Sequence, residues 1–398
     1  MAGDETPRFD VLILGASFAG VELVYQLRKR GGAGLRIAVI DRQAEHGYIP
    51  LVQERLVERI PPERTALQTR AYVESRPGAR YVVGEVVSFD PEVREVALAS
   101  GERLRGGIVV VALGSSLAPP PRLPGAERFA GYKFGAELAA SRTDLAQALG
   151  GQGGAEHPTI AVAGGGISGV ELAGELGHLA QARPAGWRAP RVVLVQGGER
   201  LLPEITARAA DKAARYLRRQ GVEVRLRTRL VELGAGTATL RAEGGSDEIL
   251  PCALAFWAGG VRPAPALGAL GLSLTPQGWL RVGPTLQCFP EDAGAKAGIF
   301  AIGDAVRITD GSGEWPTMQR AIECLWQAKL CARNLLALAN SSGGTPRLRF
   351  HTLRREFPYG VSVGAESLFV YKGLVLDLGA FNIWFRRFLM RQYFRRYQ

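Results

Sequence analysis

Twice along this 398-residue chain an apolar strand runs into a glycine-rich turn that opens a helix, and that repetition limits the fold more than any other feature. The first copy is Phe9–Gly20, where the apolar run Val11–Leu14 ends at Gly15 and is followed by Ser17, Phe18, Ala19 and Gly20. Apolar residues at helical spacing predict a helix over Val21–Arg30, with basic residues in its last turn. A second strand, Arg36–Ile40, ends in Asp41, with Arg42 beside it. Strand, glycine turn, helix, strand and acid, in that order, make a dinucleotide-binding βαβ unit. Gly15 permits the tight turn, Gly20 lets the helix close on the strand, and the amides at the helix start face a pyrophosphate. Asp41 stands where a carboxylate accepts hydrogen bonds from a ribose. Ser17 replaces the middle glycine with a small residue whose hydroxyl can donate.

The second copy is complete. Thr159–Ala163 runs into Gly164, Gly166, Ile167 and Gly169, a helix is expected over Val170–Leu179, and a strand over Arg191–Val195. Gln196 ends that strand in place of the usual acid. A third element, Gly298–Ala305, reads as a short buried strand ending in Gly303 and Asp304.

With these motifs in this order the chain resembles the flavoproteins that carry two dinucleotide-binding domains. Val109–Gly114, with Ala112 and Gly114, resembles the strand that closes the first domain in that superfamily, and Phe256–Gly260, with Gly259, its counterpart in the second. Within the superfamily the sequence is most similar to type II NADH:quinone oxidoreductases. Pro50 and Leu51 open a segment like the one under their flavin ring, and Leu201–Pro203 also fits. The resemblance implies an α/β fold of two Rossmann-like domains, an FAD domain split by an inserted NAD(P)H domain, plus a C-terminal segment. It assigns FAD to the first glycine turn and to Asp304 on the ribityl side, and NADH to the second. Glu171, near the expected flavin–nicotinamide junction, becomes the candidate for tuning hydride or proton transfer; the competing reading is a helix-surface glutamate. Gln196 removes the repulsion a carboxylate would exert on a 2′-phosphate, so NADPH is expected to be rejected less strongly than usual. The family's quinone-side AQxAxQ pattern appears as Met318–Glu323: Gln319 and Ala321 match, whereas Arg320 adds charge and Glu323 replaces a glutamine.

The implied reaction carries hydride from NAD(P)H to FAD and two electrons on to a quinone or another small-molecule acceptor. The alternatives are a soluble reductase serving a ferredoxin or monooxygenase, a reductase like the apoptosis-inducing-factor group, a sulfide:quinone oxidoreductase, and a flavin-binding regulatory protein. No cysteine lies between Asp41 and Leu67, which argues against a disulfide reductase. Cys324 and Cys331 are two helical turns apart, too far to bridge along one helix, although Cys288 could approach them. No metal-ligand spacing is present.

The expected units are residues 1–115 and 282–345 for the split FAD domain, 157–281 for the NAD(P)H domain, 116–156 as linker and 346–398 as a C-terminal segment. Gly150–Gly154 and Ser341–Gly344 read as connectors. The polar start leaves no room for a secretory signal, and no apolar run approaches the ~20 residues of a membrane span. A cytoplasmic location, or attachment to the cytoplasmic face of the inner membrane, is therefore expected. The net charge of +11 has no nucleic-acid module beside it, so nucleic acid is not an expected partner. The basic, aromatic tail from Gly379 onward suits it better. Phe381, Trp384, Phe385, Phe388 and Leu389 share one helical face while Arg386 and Arg387 point elsewhere, and the pattern breaks beyond Met390. An anionic membrane surface is one expected partner of that tail; packing on the flavin domain or in a homodimer is the other.

Overall fold

In the computed structural model the described residues are 6–133, 135–150, 156–289, 298–341, 346–377 and 379–397. The first βαβ unit comprises β1 (Arg8–Leu14), α1 (Phe18–Lys29) and β2 (Ile37–Asp41). The helix begins at Phe18, three residues before the expected Val21, because its first turn grows directly out of the glycine turn. β1 pairs in parallel with β2, with Val11 opposite Ile37 and Leu14 opposite Ile40. On its other side β1 pairs with the nine-residue strand Arg103–Val111. That strand is shared. Its outer half carries an antiparallel ribbon through Glu95–Leu98, and its inner half, Val109–Val111, pairs with Ile299–Ala301. Leu12, Ile13, Leu14, Ile37 and Ile40 have no exposed surface, as both faces of a parallel sheet are covered. That is why these strands read as unbroken apolar runs rather than as alternating ones.

The second unit repeats the plan with β3 (Thr159–Ala163), α2 (Ile167–Ala182) and β4 (Arg191–Val195). Its five-stranded parallel sheet runs Phe129–Ala130, Leu254–Trp257, β3, β4 and Glu223–Arg225. The stretch 116–156 is thus not merely a connector: it supplies an edge strand and a sixteen-residue helix, Gly135–Gly150. Its Leu138, Leu145 and Leu149 are buried in the second core, which a solvated linker would not allow. Of the two expected Gly/Ser connectors, Gly151–Gly154 and Ser342–Gly344 lie outside the described residues.

After Ile299–Ala301 the chain forms α3 (Ala321–Ala339), which lies against α1, then the antiparallel sheet β5 (Tyr359–Val363), Glu366–Tyr371 and Leu374–Asp377. β5 packs on α2, and a side chain at Gly174 would meet the Gly364 backbone nitrogen at 2.6 Å. Val361 and Val363 are fully buried there, each contributing about 1.5–3 kcal/mol. The chain ends in α4 (Ala380–Arg396), a single helix. The break in the aromatic pattern at Met390 therefore marks a change in which face is covered, not an end of helix. Phe381, Trp384, Phe385, Phe388 and Leu389 remain exposed, whereas Tyr393 and Tyr397 join the core of the first unit.

Candidate functional site

The first glycine turn is a cradle with no space for side chains. Gly15 sits at φ +107°, and a Cβ there would lie 2.3 Å from the Ala112 carbonyl oxygen; one on Gly20 would lie 1.9 Å from the Gly15 oxygen. The amides at the start of α1, from Phe18 to Gly20, have no intrahelical acceptors and open toward the ends of the strands. Asp41 holds the turn in shape: Oδ2 accepts from the Ala16 amide at 2.7 Å and Oδ1 from the Gln43 amide at 3.0 Å. Each carboxylate oxygen keeps a lone pair for a ribose hydroxyl. Arg42, next to Asp41, is exposed. Ser17 is already engaged, its hydroxyl 3.2 Å from His46 Nδ1. Burial pushes the His46 imidazole down to about 3, so it is neutral, and its Nε2 has no hydrogen-bond partner among the described residues.

The Gly303–Asp304 turn closes on this cradle. A Cβ on Gly303 would meet that of Ala19 at 3.2 Å. The Asp304 carboxylate accepts from Ser115 Oγ at 3.0 Å, one residue past Gly114, and its backbone oxygen accepts from Gln319 Nε2 at 3.2 Å. Arg320 caps α3, whose helix starts at Ala321, and its guanidinium lies over the Tyr359 ring at 5.1 Å. Residues 15–20, 41, 112–115, 303–304 and 319–321 are thus brought together, although 288 positions separate the first from the Gly303 turn. A glycine-lined groove at a helix N-terminus, flanked by two carboxylates, fits a dinucleotide such as FAD.

The second cradle repeats this geometry. Gly164 sits at φ +118°, and a Cβ on Gly169 would lie 1.8 Å from the Gly164 oxygen. Gly166 precedes α2, and Ala258, just before Gly259, donates its amide to the Ala163 oxygen at 2.8 Å. Gln196 folds back onto the turn, accepting from the Gly165 amide at 3.1 Å and donating to the Arg200 oxygen at 3.3 Å. Glu204, which sequence reasoning missed, accepts from the Ile167 amide at 3.1 Å, so a carboxylate already stands at the anion-binding end of α2. The Arg229 side chain lies beside Gly197, where a Cβ would meet its Nε at 3.3 Å. Donor groups and helix end fit a nicotinamide dinucleotide once Glu204 swings aside.

Between the cradles α2 faces the short helix Val52–Leu56, which follows Pro50 and the buried Leu51. Glu171 is half-buried here and is no free surface residue: it accepts from Gln53 Nε2 and from the Ser362 amide, each at 3.1 Å. Burial raises its pKa, partly opposed by the Arg386 charge and the Ser362 hydrogen bond. One turn on, Glu175 is 1 % exposed and pairs with Arg59 at 2.9 Å. Burial raises it to about 7 against the pull of Arg59. Lys133, also missed, has its pKa lowered by burial, offset by Asp304. Glu175, which sequence reasoning also missed, had a signal there: it falls four residues, one helical turn, after Glu171.

Two nucleotide cradles joined by a charged junction define a class of oxidoreductase, and residues 9–328 match the pyridine nucleotide-disulphide oxidoreductase family. The chain belongs to that family. Demethylphylloquinone reductase NdbB of Synechocystis is 29% identical over 352 residues, covering 84% of this chain and 82% of that one. A type II NADH:quinone oxidoreductase of Haemophilus influenzae is 34% identical over 188 residues, covering 45% of this chain and 40% of that one. The structure of NDH2 from Plasmodium falciparum in complex with NADH shares the fold, with a TM-score of 0.81 at 13% identity over 98% of this chain and 95% of that one.

Among the described residues no thiol pair stands at the junction. Cys252, Cys288, Cys324 and Cys331 are all free and buried, and burial raises each thiol above its usual range. Cys324 lies nearest the first cradle, 3.8 Å from Asp304 Oδ1. Thiols held protonated in this way are poor nucleophiles.

Proposed function

We propose that the chain is an FAD-dependent NADH:quinone oxidoreductase, in which FAD lies in the first cradle and the nicotinamide dinucleotide in the second. The observation that carries this reading is the junction: a carboxyl of raised pKa, Glu171, bridged to Gln53 of the other unit between the two glycine cradles. The relatives that align over most of their length, among them a demethylphylloquinone reductase, support a quinone as acceptor.

The flavin, when bound, supplies the two-electron chemistry between nicotinamide and quinone. The protein's residues do the rest. Gly15, Gly20, Gly303 and the start of α1 hold the pyrophosphate, Asp41 the ribose and Asp304 the polyol. Gly164, Gly166, Gly169 and the start of α2 hold the second dinucleotide. Gln196 and Arg229 leave room for a 2′-phosphate, so NADPH is a poorer but accepted donor. With its pKa raised by burial, Glu171 would keep a proton closer to neutrality than an exposed glutamate and could pass it to a group that gains electrons. Pro50 and Leu51 would form the floor of the flavin site, and Gln319 and Arg320 would flank its acceptor side.

The division into a split FAD domain and an inserted NAD(P)H domain follows from the same assignment, with residues 129–150 belonging to the inserted part. No helix among the described residues is long and apolar enough to cross a membrane. Attachment is instead proposed at a membrane surface, on the cytoplasmic face. Phe381 and Trp384 are 58% and 55% exposed and stack at 5.5 Å, and the Trp384 and Phe388 rings stack at 5.6 Å, with Leu374 and Leu376 of the neighbouring strand also exposed. Aromatics flanked by arginines suit an anionic headgroup layer. A homodimer through this face is the competing use, and sedimentation with and without liposomes separates the two.

The test is an anaerobic titration of the yellow protein with NADH, followed by a soluble short-chain quinone. Bleaching by NADH and recovery with quinone is the expected result. Bleaching without recovery overturns the quinone as acceptor, and no bleaching overturns the reading as a whole.

A further inference from the structure

α1 carries a buried carboxyl group in an unusual place. Glu22 is 1 % exposed, one turn beyond the amides of the first cradle. Gln26 Nε2 donates to its Oε1 at 2.6 Å, Arg396 NH1 to its Oε2 at 2.9 Å, and the Tyr397 hydroxyl to the same Oε2 at 2.5 Å. Arg396 and Tyr397 come from the very end of α4. The Tyr397 ring is set edge-on to Tyr25 at 6.0 Å and to Tyr72 at 5.4 Å. One turn earlier, Tyr393 lies 5.0 Å from Phe18, the first residue of α1, and 5.2 Å from Tyr48. Phe18 and Glu22 of α1 thus meet Tyr393 and Tyr397, so the side-chain contacts step four residues in the same direction along both segments. Farther back, Arg386 donates to the Pro50 oxygen at 2.7 Å and Arg387 to Glu54 at 3.4 Å. α4 therefore touches both walls of the first cradle: the glycine turn through Phe18, and the Pro50–Leu51 floor.

We propose that Glu22, Arg396 and Tyr397 are a latch that fastens the chain's last helix over the flavin site and so governs how long FAD stays bound. This inference rests on FAD occupying the first cradle. The three are positioning residues: they act through Phe18, Tyr48 and Pro50, which they keep covered. The charge distribution makes the latch specific. The buried Glu22 carboxylate is met by a guanidinium, a hydroxyl and the Gln26 amide, and removing the guanidinium leaves it without a counter-charge. Arg395, in the same turn, is exposed and has the same charge but no part in the pair. The exposed aromatics of the first half of α4 lie about two to four turns away. The helix thus has a free half and a fastened half.

The experiment measures flavin release from the purified full-length holoprotein after dilution, by the flavin recovered in the ultrafiltrate, with circular dichroism confirming that each variant is folded. Arg396→Met is expected to release FAD at least about tenfold faster than the parent, and Tyr397→Phe severalfold faster. Arg395→Met, with the same loss of charge, is expected to match the parent. The double variant Glu22→Gln/Arg396→Met is expected to retain flavin better than Arg396→Met alone, because it no longer buries a lone charge. Folded Arg396→Met and Tyr397→Phe proteins that hold flavin as long as Arg395→Met would overturn the latch. A parent protein that neither carries nor takes up FAD would overturn the cofactor reading beneath it.

Discussion

Replacing Glu175 with glutamine should remove a large part of this protein's pH-dependent stability. The carboxyl lies buried between the two cradles and its pKa is raised from 4.5 to about 7, because burial outweighs the attraction of Arg59 at 2.9 Å. In the unfolded chain the same group loses its proton near its ordinary value. Between those two pH values the folded state binds the extra proton, so stability is greatest below the window and falls as pH rises through it. At ~1.36 kcal/mol per pH unit the full loss from this group is about 3 kcal/mol. Urea titrations of the parent at pH 5 and pH 8 should therefore differ by roughly 2–3 kcal/mol from Glu175 alone. Glutamine keeps an acceptor for Arg59 without the charge, so Glu175→Gln should be nearly neutral at pH 5 and stabilising at pH 8. Equal pH dependence in parent and variant would refute the reasoning, because it would mean that the folded Glu175 titrates as an exposed glutamate does.

Other expectations follow from the site. Glu171→Gln should lower kcat by about tenfold to a hundredfold with little change in the KM for NADH, and should flatten the alkaline limb of the rate profile. Gln196→Glu should raise the preference for NADH over NADPH in kcat/KM by about tenfold, since a carboxylate would then face the 2′-phosphate beside Arg229. Glu204→Ala should tighten NAD⁺ binding severalfold by calorimetry, as the α2 amides no longer need to be cleared of a carboxylate; unchanged affinity would show that Glu204 does not compete. Trp384→Ala/Phe388→Ala should release the protein from anionic liposomes in a flotation assay while leaving NADH oxidation with a soluble quinone intact.

The parts of this architecture that were legible in sequence are those where local chemistry leaves little choice. Gly15, Gly20, Gly164 and Gly169 are demanded by backbone approaches of about 2–3 Å, and a buried parallel strand must be apolar throughout, so both βαβ units could be read directly. Asp304 was legible for the same reason, as it follows a short apolar strand into a glycine turn. What could not be read depends on distant partners. Residues 129–150 looked like connector because a two-residue edge strand has too short a pattern to register, and its pairing with Phe256 is set by the sheet. Nothing local singles out Glu22 on α1, because its partners Arg396 and Tyr397 lie 374 and 375 positions away. Glu204 and Lys133 likewise acquire meaning only from the groups the fold sets beside them. The tail pattern was seen with its break beyond Met390, but the cause of the break, a change of neighbour along one helix, lies in residues far away in sequence.

The strand Ile299–Ala301 has a consequence for how the protein is made. It completes the sheet begun by β1, so everything from Phe129 to Trp257 must be synthesised before the first sheet can close. At a translation rate of ~5–20 residues per second, that sheet waits roughly fifteen seconds to a minute after β1 leaves the ribosome. The sheet of the second unit has no such delay, since its five strands are available by Trp257, and only the cover of α2 by β5 comes later. Assembly during translation should therefore run against the order of the sequence: the later-encoded cradle forms first, and the earlier-encoded one only when the chain is nearly finished. A ribosome that stalls before position 299 would release a protein able to grip one nucleotide and unable to build the pocket for the other.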